Sequence, residues 1–410
     1  MRTQNLGATL RILAALAAIG ILLPPPRAAA ANLDITPAIS LDQVYDSNVF
    51  NTDGNEKGDF IFRATPAVTF SLEMPETTLN LRSSITLDTY YKYTKLNSND
   101  SAITLALESQ PPLRLTPRWS IAPSGHFVQA RNSYLRNQLV PSEDPLLPAS
   151  IATESATRKS RDYGAALRMI YLLTEKSEFS LGGGFSKRQF LDNVTAGGNV
   201  DSRVVTGDTT LTYKFTPLFS SGLFLNTAYN TFDSGRDSRT FAGGLTGTYL
   251  FSPALTMTAR AGASRAQETG SAGIPDRTTW SPAGSLSLTY ADREFRAALT
   301  GSIDQSGGGS FGVTTRRQSV GVSLSDRFAA KWTADLSGNY QENRSLDVSV
   351  SEDLTSATGT AGVRYQPTTW ATLHLSGAAL RQWNNGAIGT DLTRYSAFLG
   401  ITLGKAYNIN

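Results

Sequence analysis

Apolar and polar residues alternate along most of the chain after residue 31, and the pattern is clearest from Phe241 to Ser264. In the first half of this segment, Leu245 and Tyr249 share one face, with threonines on the other. Ser252-Pro253 interrupts the run, and the alternation resumes around Met257. A period of two residues is that of a β-strand, and a proline cannot donate a hydrogen bond to a neighbouring strand. The segment therefore predicts a β-hairpin with one apolar and one polar face.

Short turns of this kind, centred on positions 75, 112, 175, 217, 253, 292, 329 and 368, recur at intervals of about forty residues, apart from one longer gap of 63 residues between 112 and 175. Between them lie longer connections rich in Asn, Asp, Gly and Ser, which favour loops. Each interval holds two strands, one turn and one loop, so the pattern predicts eighteen strands, with sixteen as the alternative. The predicted strands span residues 34–46, 59–73, 77–93, 100–110, 113–131, 159–173, 177–190, 202–215, 218–232, 239–251, 254–267, 277–290, 293–305, 312–326, 331–343, 354–366, 369–383 and 391–409.

Two features favour a membrane barrel over a soluble all-β fold. Short turns at one end and long loops at the other are typical of bacterial outer-membrane barrels. Aromatic residues also gather beside the short turns, as rings do at a lipid–water boundary. They are Phe70, Trp119, Phe215, Phe219, Phe251, Tyr290, Phe295, Phe328, Trp332, Tyr365 and Trp370. A propeller repeats at a similar period, but its motif dipeptides are not seen. We predict an all-β, antiparallel, up-and-down transmembrane β-barrel.

Residues 1–31 have the three parts of a secretory signal peptide. Arg2 and Arg11 precede the apolar run Ile12–Leu23, and a patch of small residues ends at Ala31. A run of about a dozen residues is too short for a helix to cross ~30 Å of hydrocarbon. We expect cleavage near Ala31, which leaves residues 32–410 as a single barrel domain in the outer membrane.

Cleavage would also remove the charge imbalance of the chain. The 410 residues include 37 basic and 34 acidic side chains, a net charge of +3. The predicted signal peptide holds Arg2, Arg11 and Arg27 and no acid, so 37 minus 3 leaves 34 basic residues against 34 acidic ones. A neutral mature chain does not indicate a nucleic-acid partner. The sequence has no cysteine, so export would bring no disulfides.

The first predicted hairpin carries a family resemblance. Tyr45-Asp46-Ser47-Asn48-Val49-Phe50, followed by Gly58-Asp59-Phe60 and Pro66, is similar to the start of the β-barrel porin type 2 family. Members of that family occur beside exopolysaccharide assembly systems. The resemblance therefore implies an outer-membrane porin, with polysaccharide export as a more specific expectation and with polysaccharide and periplasmic export proteins as partners.

The C-terminus resembles the terminal-strand signal that the barrel assembly machinery reads. Thr402, Gly404, Tyr407 and Ile409 match its polar, glycine, aromatic and apolar positions. The chain departs from this pattern by ending in Asn410 rather than in an aromatic residue. The resemblance implies the assembly machinery and outer-membrane lipid as partners.

The polar face of the predicted strands carries the candidate pore-lining residues. They are Arg63, Arg82, Arg118, Arg168, Arg188, Asp208, Arg260, Arg296, Asp304, Arg317, Asp335 and Arg364. With Lys214, Lys331, Asp42, Asp88 and Glu108, this face is expected to hold eleven cations and six anions. One interpretation is that these charges pair across the wall and make it rigid. The other is a net-positive wall that favours anionic solutes.

No catalytic residue, cofactor site or metal site is predicted, and we expect no enzymatic activity. The two histidines, His126 and His374, fall on different strands without the serine and orienting group that hydrolysis needs. Asp53–Asp59 has the composition of a calcium loop without its spacing. The glycines of Leu181–Phe185 lie inside a strand, where they are expected to relieve its curvature.

One long connection is a candidate gate. Residues 132–159 contain Pro141, Pro145 and Pro148 and exceed the ~12–15 residues usual for an unstructured loop. It is either a plain external loop or a constriction folded into the pore.

Three functions remain open from the sequence: an exopolysaccharide export channel, a passive diffusion porin for small and, in one version, anionic solutes, and a non-conducting structural or adhesive barrel. Only Asn32 and Leu33 separate the expected cleavage site from the first predicted strand. We therefore expect no plug domain of the kind that energised receptors carry.

Overall fold

A computed structural model describes residues 32–97, 102–130, 159–191, 200–233, 237–269, 276–307, 314–346, 353–386 and 391–409. The predicted signal peptide, residues 132–158 of the candidate gate and Asn410 lie outside these ranges, so the expectations about them and the domain boundary at residue 31 remain predictions. No helix in the described ranges is long and apolar enough to cross a membrane.

The described residues form eighteen antiparallel strands and one 3-10 turn, Thr94–Leu96. The strands are β1 (Asn32–Asp46), β2 (Asp59–Met74), β3 (Thr77–Tyr90), β4 (Ala102–Gln110 with Leu113–Arg114), β5 (Trp119–Ala130), β6 (Ser160–Leu172), β7 (Ser177–Phe190), β8 (Ser202–Lys214), β9 (Phe219–Phe232), β10 (Asp237–Leu250), β11 (Leu255–Thr269), β12 (Arg277–Ala291), β13 (Phe295–Gly307), β14 (Thr314–Ala329), β15 (Trp332–Ser345), β16 (Asp353–Thr368), β17 (Ala371–Asn384) and β18 (Leu392–Gly404 with Tyr407–Ile409).

The sheet closes on itself because β1 pairs with both β2 and β18. β18 is interrupted at Lys405-Ala406 but keeps its register, since Gly404 faces Ala38 and Tyr407 faces Ile35. The interruption lies opposite Pro37, which accepts a hydrogen bond from the Lys405 amide at 3.3 Å and has no N–H to return. The predicted closed, eighteen-stranded, all-β barrel is confirmed.

One predicted turn is in the wrong place. The chain does not reverse at Pro111-Pro112 but at Leu115–Arg118, because Leu113 already pairs with Ile121 of β5. The residues around the two prolines form a bulge: residues 109–112 of β4 face only residues 122–123 of β5. Two adjacent residues without an N–H interrupt a ladder of hydrogen bonds, and here the strand continues after them.

The short turns share a hydrogen-bonding pattern that their sequences explain. Thr216 Oγ1 accepts hydrogen bonds from the amides of Leu218 and Phe219, at 3.2 and 3.0 Å. Thr116, Thr174, Ser252 and Asp292 make the equivalent contacts in four other turns. A side-chain oxygen that binds two local amides offers the backbone an alternative to strand pairing, so it ends the strand.

The outward face of the barrel is apolar and exposed. On β10, Leu245 is 61% exposed and alternates with Thr246, which faces Arg260 on the inward side. Around the barrel, these further apolar residues are likewise exposed on the outward face: Leu87, Leu167, Leu211, Leu223, Leu225, Leu286, Leu299, Val320, Leu336, Leu375 and Leu399. Such a surface is stable only against lipid.

The predicted aromatic girdle lies beside the short turns. Tyr213, Phe215, Phe219, Tyr249 and Phe251 form one continuous series, with successive ring centroids 4.9, 5.7, 6.4 and 4.7 Å apart. The girdle continues with Trp119–Tyr171, Tyr290–Phe295 and Phe328–Trp332–Tyr365. An apolar band bounded by aromatic rings and closed into a barrel is the architecture of an outer-membrane protein, and we assign the chain to the outer membrane.

Candidate channel lumen

The inward face of the barrel holds eleven of the twelve predicted pore-lining residues. In the register of the strands, each of these eleven residues lies opposite other inward residues, on the face of the sheet that points away from the exposed leucines. The exception is Arg118, which was expected on a strand and instead lies exposed in the turn before β5. It therefore lies at the edge of the barrel, outside the strands, and its place in the pore stays a prediction.

Most of the inward arginines are paired with aspartates of a neighbouring strand or, for Arg168, of the next strand but one. Arg63 donates two hydrogen bonds to Asp88, at 2.7 and 2.8 Å. Four further pairs lie elsewhere in the wall: Arg188–Asp162 at 2.7 Å, Arg317–Asp304 at 2.7 and 3.0 Å, Arg364–Asp335 at 2.9 Å and Arg168–Asp208 at 3.2 Å. Two-pronged contacts between guanidinium and carboxylate groups hold both side chains in one orientation.

Glycines allow two of these contacts to cross an intervening strand. Gly182 of β7 lies between Arg168 of β6 and Asp208 of β8, and a Cβ at this position would overlap the Asp208 carboxylate. Gly400 of β18 lies between His374 and Asp42 in the same way. Gly182 therefore makes room for an ion pair, which is a more specific role than the relief of strand curvature expected for the glycines of this segment.

The contact across Gly400 connects the ion pairs on the two sides of the strands that close the barrel. His374 Nε2 lies 2.5 Å from Asp42 Oδ1, Arg364 faces His374, and Asp42 faces Arg63. The result is a transverse series from β15 to β3, here called the charge row: Asp335, Arg364, His374, Asp42, Arg63 and Asp88. The contact between His374 and Asp42 links β17 to β1 across β18, at the closure of the barrel.

The expected excess of positive charge is not found on the described strands. The inward face carries the basic residues Arg63, Arg82, Arg114, Arg168, Arg188, Lys214, Arg260, Arg277, Arg296, Arg317, Arg364 and Arg394. It also carries the acidic residues Asp34, Asp42, Asp46, Asp59, Glu73, Asp88, Glu108, Asp162, Glu178, Asp208, Glu268, Asp304 and Asp335. Twelve cations thus face thirteen anions on the described strands, so the wall is close to neutral, and seven of these cations lie in ion pairs with Asp or Glu.

Water reaches the two halves of the lumen unequally. Near the short turns, the inward side chains of Arg82, Glu108, Lys214, Arg296 and Arg364 are exposed. Near the long connections, inward side chains are almost completely buried, among them Asp46, Ile61, Asp88, Val128, Asp162, Asn230, Ser264, Gln341, Leu354, Gln382 and Arg394. The lumen is therefore open to water from the short-turn end and narrow toward the long-loop end.

An apolar cluster occupies the narrow end. It consists of the buried residues Val44, Val49, Ile61 and Tyr90, with Phe50, Tyr93, Leu96 and Phe398 packed against them. We call these eight residues the mouth cluster. Val49 and Phe50 belong to the connection after β1, and Tyr93 and Leu96 to the connection after β3, so both connections turn inward. The rings of Phe50 and Tyr93 meet edge to face, with their centroids 5.0 Å apart.

Hydrogen bonds tie the first connection to β18. Asp46 accepts from Arg394 Nε at 3.0 Å and from the Asn48 amide at 3.0 Å. The Asn48 side chain donates to the Thr393 carbonyl at 3.1 Å, and Arg394 Nη1 donates to Asn51 at 3.3 Å. Asn51 has a φ of 51°, a left-handed conformation that asparagine tolerates. The composition of this connection favours a solvent-exposed loop, but these hydrogen bonds hold it against the barrel wall.

Asp59 fixes the second connection. Its carboxylate accepts hydrogen bonds from the amides of Lys92, at 3.0 and 3.1 Å, and Tyr93, at 2.9 Å. The residue that resembled part of a calcium loop thus binds the backbone. No group of three or more His, Asp or Glu residues in the described ranges could hold a metal ion.

The residues of the predicted assembly signal lie on both faces of the last strand. Tyr407 and Ile409 face outward and pair with Ile35 and Leu33, whereas the Thr402 hydroxyl faces inward and lies 3.0 Å from Ser40. Gly404 lies against Ala38. Recognition by the assembly machinery stays a prediction.

Neither histidine has the surroundings expected of a catalytic base. His374 contacts an aspartate of the charge row, and His126 faces inward beside Gly164. The hydrogen bonds among the described residues include no serine–histidine pair at either position. The expectation that the chain is not an enzyme stays a prediction.

A scan against protein-family models and a search of curated proteins find no match. Among solved structures, the chain is similar to OpdK of Pseudomonas aeruginosa in a crystal with vanillate, at 9% identity over 92% of this chain and 99% of that one, with a TM-score of 0.45. The chain is also similar to the BenF-like porin of Pseudomonas fluorescens Pf-5, at 11% identity over 92% of this chain and 99% of that one, with a TM-score of 0.48. For OccK2 of Pseudomonas aeruginosa, the identity is 10% over 91% of this chain and 98% of that one, and the TM-score is 0.46. Likenesses with TM-scores below 0.5 carry no function or substrate over to this chain.

Proposed function

We propose that the protein is a porin-like outer-membrane channel that passes small hydrophilic solutes. The observation that carries this proposal is the closed barrel of eighteen strands whose inward face is polar and, in its short-turn half, open to water. Barrels of 16–18 strands are wide enough to enclose an aqueous channel. The mouth cluster narrows the channel at its outer end.

The paired charges of the wall suggest weak selectivity between anions and cations. A ring of like charges would exclude ions of the same sign. Here, Arg63, Arg188 and Arg317 are each neutralised by an aspartate within 3 Å. We therefore expect the purified protein to pass K⁺ and Cl⁻ at similar rates, with a reversal potential near zero in a KCl gradient. A strongly anion-selective channel would instead support the net-positive wall.

Conductance in planar bilayers tests the channel and its narrow end together. Phe50→Ala/Tyr93→Ala removes two rings of the mouth cluster and is expected to raise single-channel conductance. The matched control is Tyr45→Ala/Phe60→Ala, which removes a similar pair of rings, 5.1 Å apart, from the outward face of β1 and β2. Its conductance should equal that of the unmodified protein.

Absence of conductance in all three proteins would reject the channel. It would favour a non-conducting barrel that acts through its loops. Equal conductance in the three proteins would leave the channel in place and reject the mouth cluster as its narrow part.

Exopolysaccharide export is the more specific candidate, and the similarity of residues 45–66 to the β-barrel porin type 2 family supports it. Export would require polysaccharide to enter from the periplasmic side. We expect an exported polymer to block the current when it is added on that side. Small sugars that block equally well from both sides would favour a passive diffusion porin.

A further inference from the structure

Basic residues are concentrated on the outward face of the barrel near the long connections. Eight strands contribute one each: Arg161, Lys187, Arg203, Arg239, Arg265, Arg316, Arg344 and Arg381. We call these residues the outer basic belt. Only three acidic residues of the described strands share this face and level: Asp237, Glu342 and Asp353. Arg344 pairs with Glu342, which leaves most of the belt without a carboxylate partner in the described chain.

The belt lies one membrane thickness from the aromatic girdle. Arg161, Arg203 and Arg239 each precede a girdle tyrosine of the same strand by ten residues: Tyr171, Tyr213 and Tyr249. Ten residues at ~3.3 Å each cover ~33 Å along the strand, or ~25 Å along the membrane normal at a tilt of ~40°. The apolar band of an outer-membrane barrel is about 25 Å tall. The belt therefore lies at the level of the outer-leaflet headgroups.

The guanidinium groups of the belt are held over outward aromatic rings. Arg203 lies 5.3 Å from the ring centroid of Phe185, and Arg239 lies 5.3 Å from that of Tyr229. Arg161, Arg265 and Arg381 make similar contacts with Phe127, Trp280 and Trp383. An aromatic ring in the lipid with a cation above it suits an interface where acyl chains meet charged headgroups.

Two pairs of belt residues bring like charges directly opposite each other. Lys187 of β7 faces Arg203 of β8, and Arg316 of β14 faces Arg344 of β15. Like charges in opposite positions of neighbouring strands are destabilising. At the second pair, Arg344 already contacts Glu342 and lies 3.8 Å from Asp353. Lys187 and Arg203 have no ion pair among the described residues, so an anion bound between them would remove their repulsion.

We propose that the outer basic belt binds the phosphate groups of the phosphorylated glycolipid in the outer leaflet, lipopolysaccharide. Phosphate oxygens accept the charge-assisted hydrogen bonds that Lys187 and Arg203 can donate outward. The belt borders the apolar band on the same face, so a bound glycolipid places its acyl chains against exposed leucines and its phosphates against the cations. This continuity selects a lipid headgroup over free phosphate. The proposal does not depend on conduction through the lumen.

The test compares two double variants with equal loss of charge. Lys187→Gln/Arg203→Gln removes one like-charge pair of the belt, and the control Arg82→Gln/Arg296→Gln removes two inward arginines. The probe is purified diphosphorylated lipid A, titrated into the folded protein in a neutral detergent and followed by native mass spectrometry. Each basic residue near an anionic membrane surface contributes about 1 kcal/mol, so we expect the belt variant to bind lipid A about thirtyfold more weakly. The control should bind like the unmodified protein.

A second readout separates a binding role from a structural one. In neutral detergent without lipid A, the loss of like-charge repulsion should leave the belt variant at least as heat-stable as the unmodified protein. Added lipid A should raise the melting temperature of the unmodified protein and of the control more than that of the belt variant. If Lys187→Gln/Arg203→Gln fails to fold, Arg203→Gln alone tests the same prediction with half the loss of charge and an expected loss of lipid A affinity of about fivefold.

Three results would overturn the proposal. The first is equal lipid A affinity in the belt variant and the control. The second is equal affinity of the unmodified protein for diphosphorylated and dephosphorylated lipid A. The third is displacement of lipid A by the same concentration of inorganic phosphate, which would identify a site for the free anion.

Discussion

The ion pair Arg63–Asp88 gives the sharpest prediction about stability. Arg63→Met keeps most of the volume of the side chain and removes its charge. It leaves Asp88, whose side chain is 1% exposed, without the two hydrogen bonds at 2.7 and 2.8 Å that now satisfy it. Breaking a buried pair by removing one partner costs about 3–5 kcal/mol, because the remaining charge stays out of water. We expect Arg63→Met to lower the free energy of unfolding by that amount.

Arg364–Asp335 provides a matched control within the same charge row. The pair has the same two-pronged geometry, at 2.9 Å, but its side chains are 54% and 40% exposed. Exposed pairs contribute about 0–1 kcal/mol, so Arg364→Met should cost at least about 2 kcal/mol less than Arg63→Met.

The assay is reversible denaturant unfolding of the barrel in lipid vesicles, followed by tryptophan fluorescence. Arg63→Met/Asp88→Leu removes both charges and should recover much of the stability lost in Arg63→Met, since no buried charge remains unpaired. If Arg63→Met costs no more than Arg364→Met, burial does not decide the strength of these pairs and the reasoning fails.

Three further predictions concern the turns, the glycines and the girdle. Thr216→Val removes the acceptor of two amide hydrogen bonds and should cost about 1 kcal/mol of unfolding free energy, whereas Thr216→Ser should cost little; equal losses would show that the hydroxyl does not hold the turn. Gly400→Ala should cost about 1–3 kcal/mol because its Cβ would overlap Asp42 and the Leu41 carbonyl. Gly377→Ala, whose Cβ would meet the Ser396 carbonyl at 3.8 Å, should be tolerated, and similar unfolding midpoints for the two would count against the close approach. Tyr249→Ala removes two ring contacts and should cost about 1 kcal/mol for each in vesicle unfolding, and an unchanged midpoint would argue against the girdle as a stabilising element.

The strands were predictable because lipid and water impose a strict alternation on them. On β10, the sequence alone assigns the face of each residue: the apolar Leu245 faces the acyl chains, and the polar Thr246 faces the lumen. The turn at Thr116-Pro117 could also have been found. It repeats the pattern of Thr216-Pro217 and Ser252-Pro253, in which a hydroxyl precedes the proline, whereas Pro111-Pro112 has no such hydroxyl.

The charge of the lumen was harder to predict, because several acids lie at strand ends. Asp46 and Asp59 end β1 and begin β2, and Asp162 lies near the start of β6. The face of a terminal residue depends on the register of pairing, and an error of one residue reverses it. These carboxylates change the expected excess of cations into a nearly balanced wall.

The mouth cluster could not have been predicted from the alternation. Val49, Phe50, Tyr93 and Leu96 belong to connections whose composition suggests wet loops. The first of these connections is held by Arg394, which reaches Asn51 only once β18 pairs with β1, and the second by Asp59 across the β2–β3 pair.

Accessibility of the lumen during conduction tests the central claim most directly. The chain has no cysteine, so Ser323→Cys on the inward face and Val322→Cys on the outward face would each carry a unique thiol on adjacent residues of β14. A charged, membrane-impermeant thiol reagent should change the single-channel current of Ser323→Cys within the recording and leave that of Val322→Cys unchanged. An unchanged current at Ser323→Cys, with the thiol shown to be modified, would contradict the account that solutes pass through this lumen.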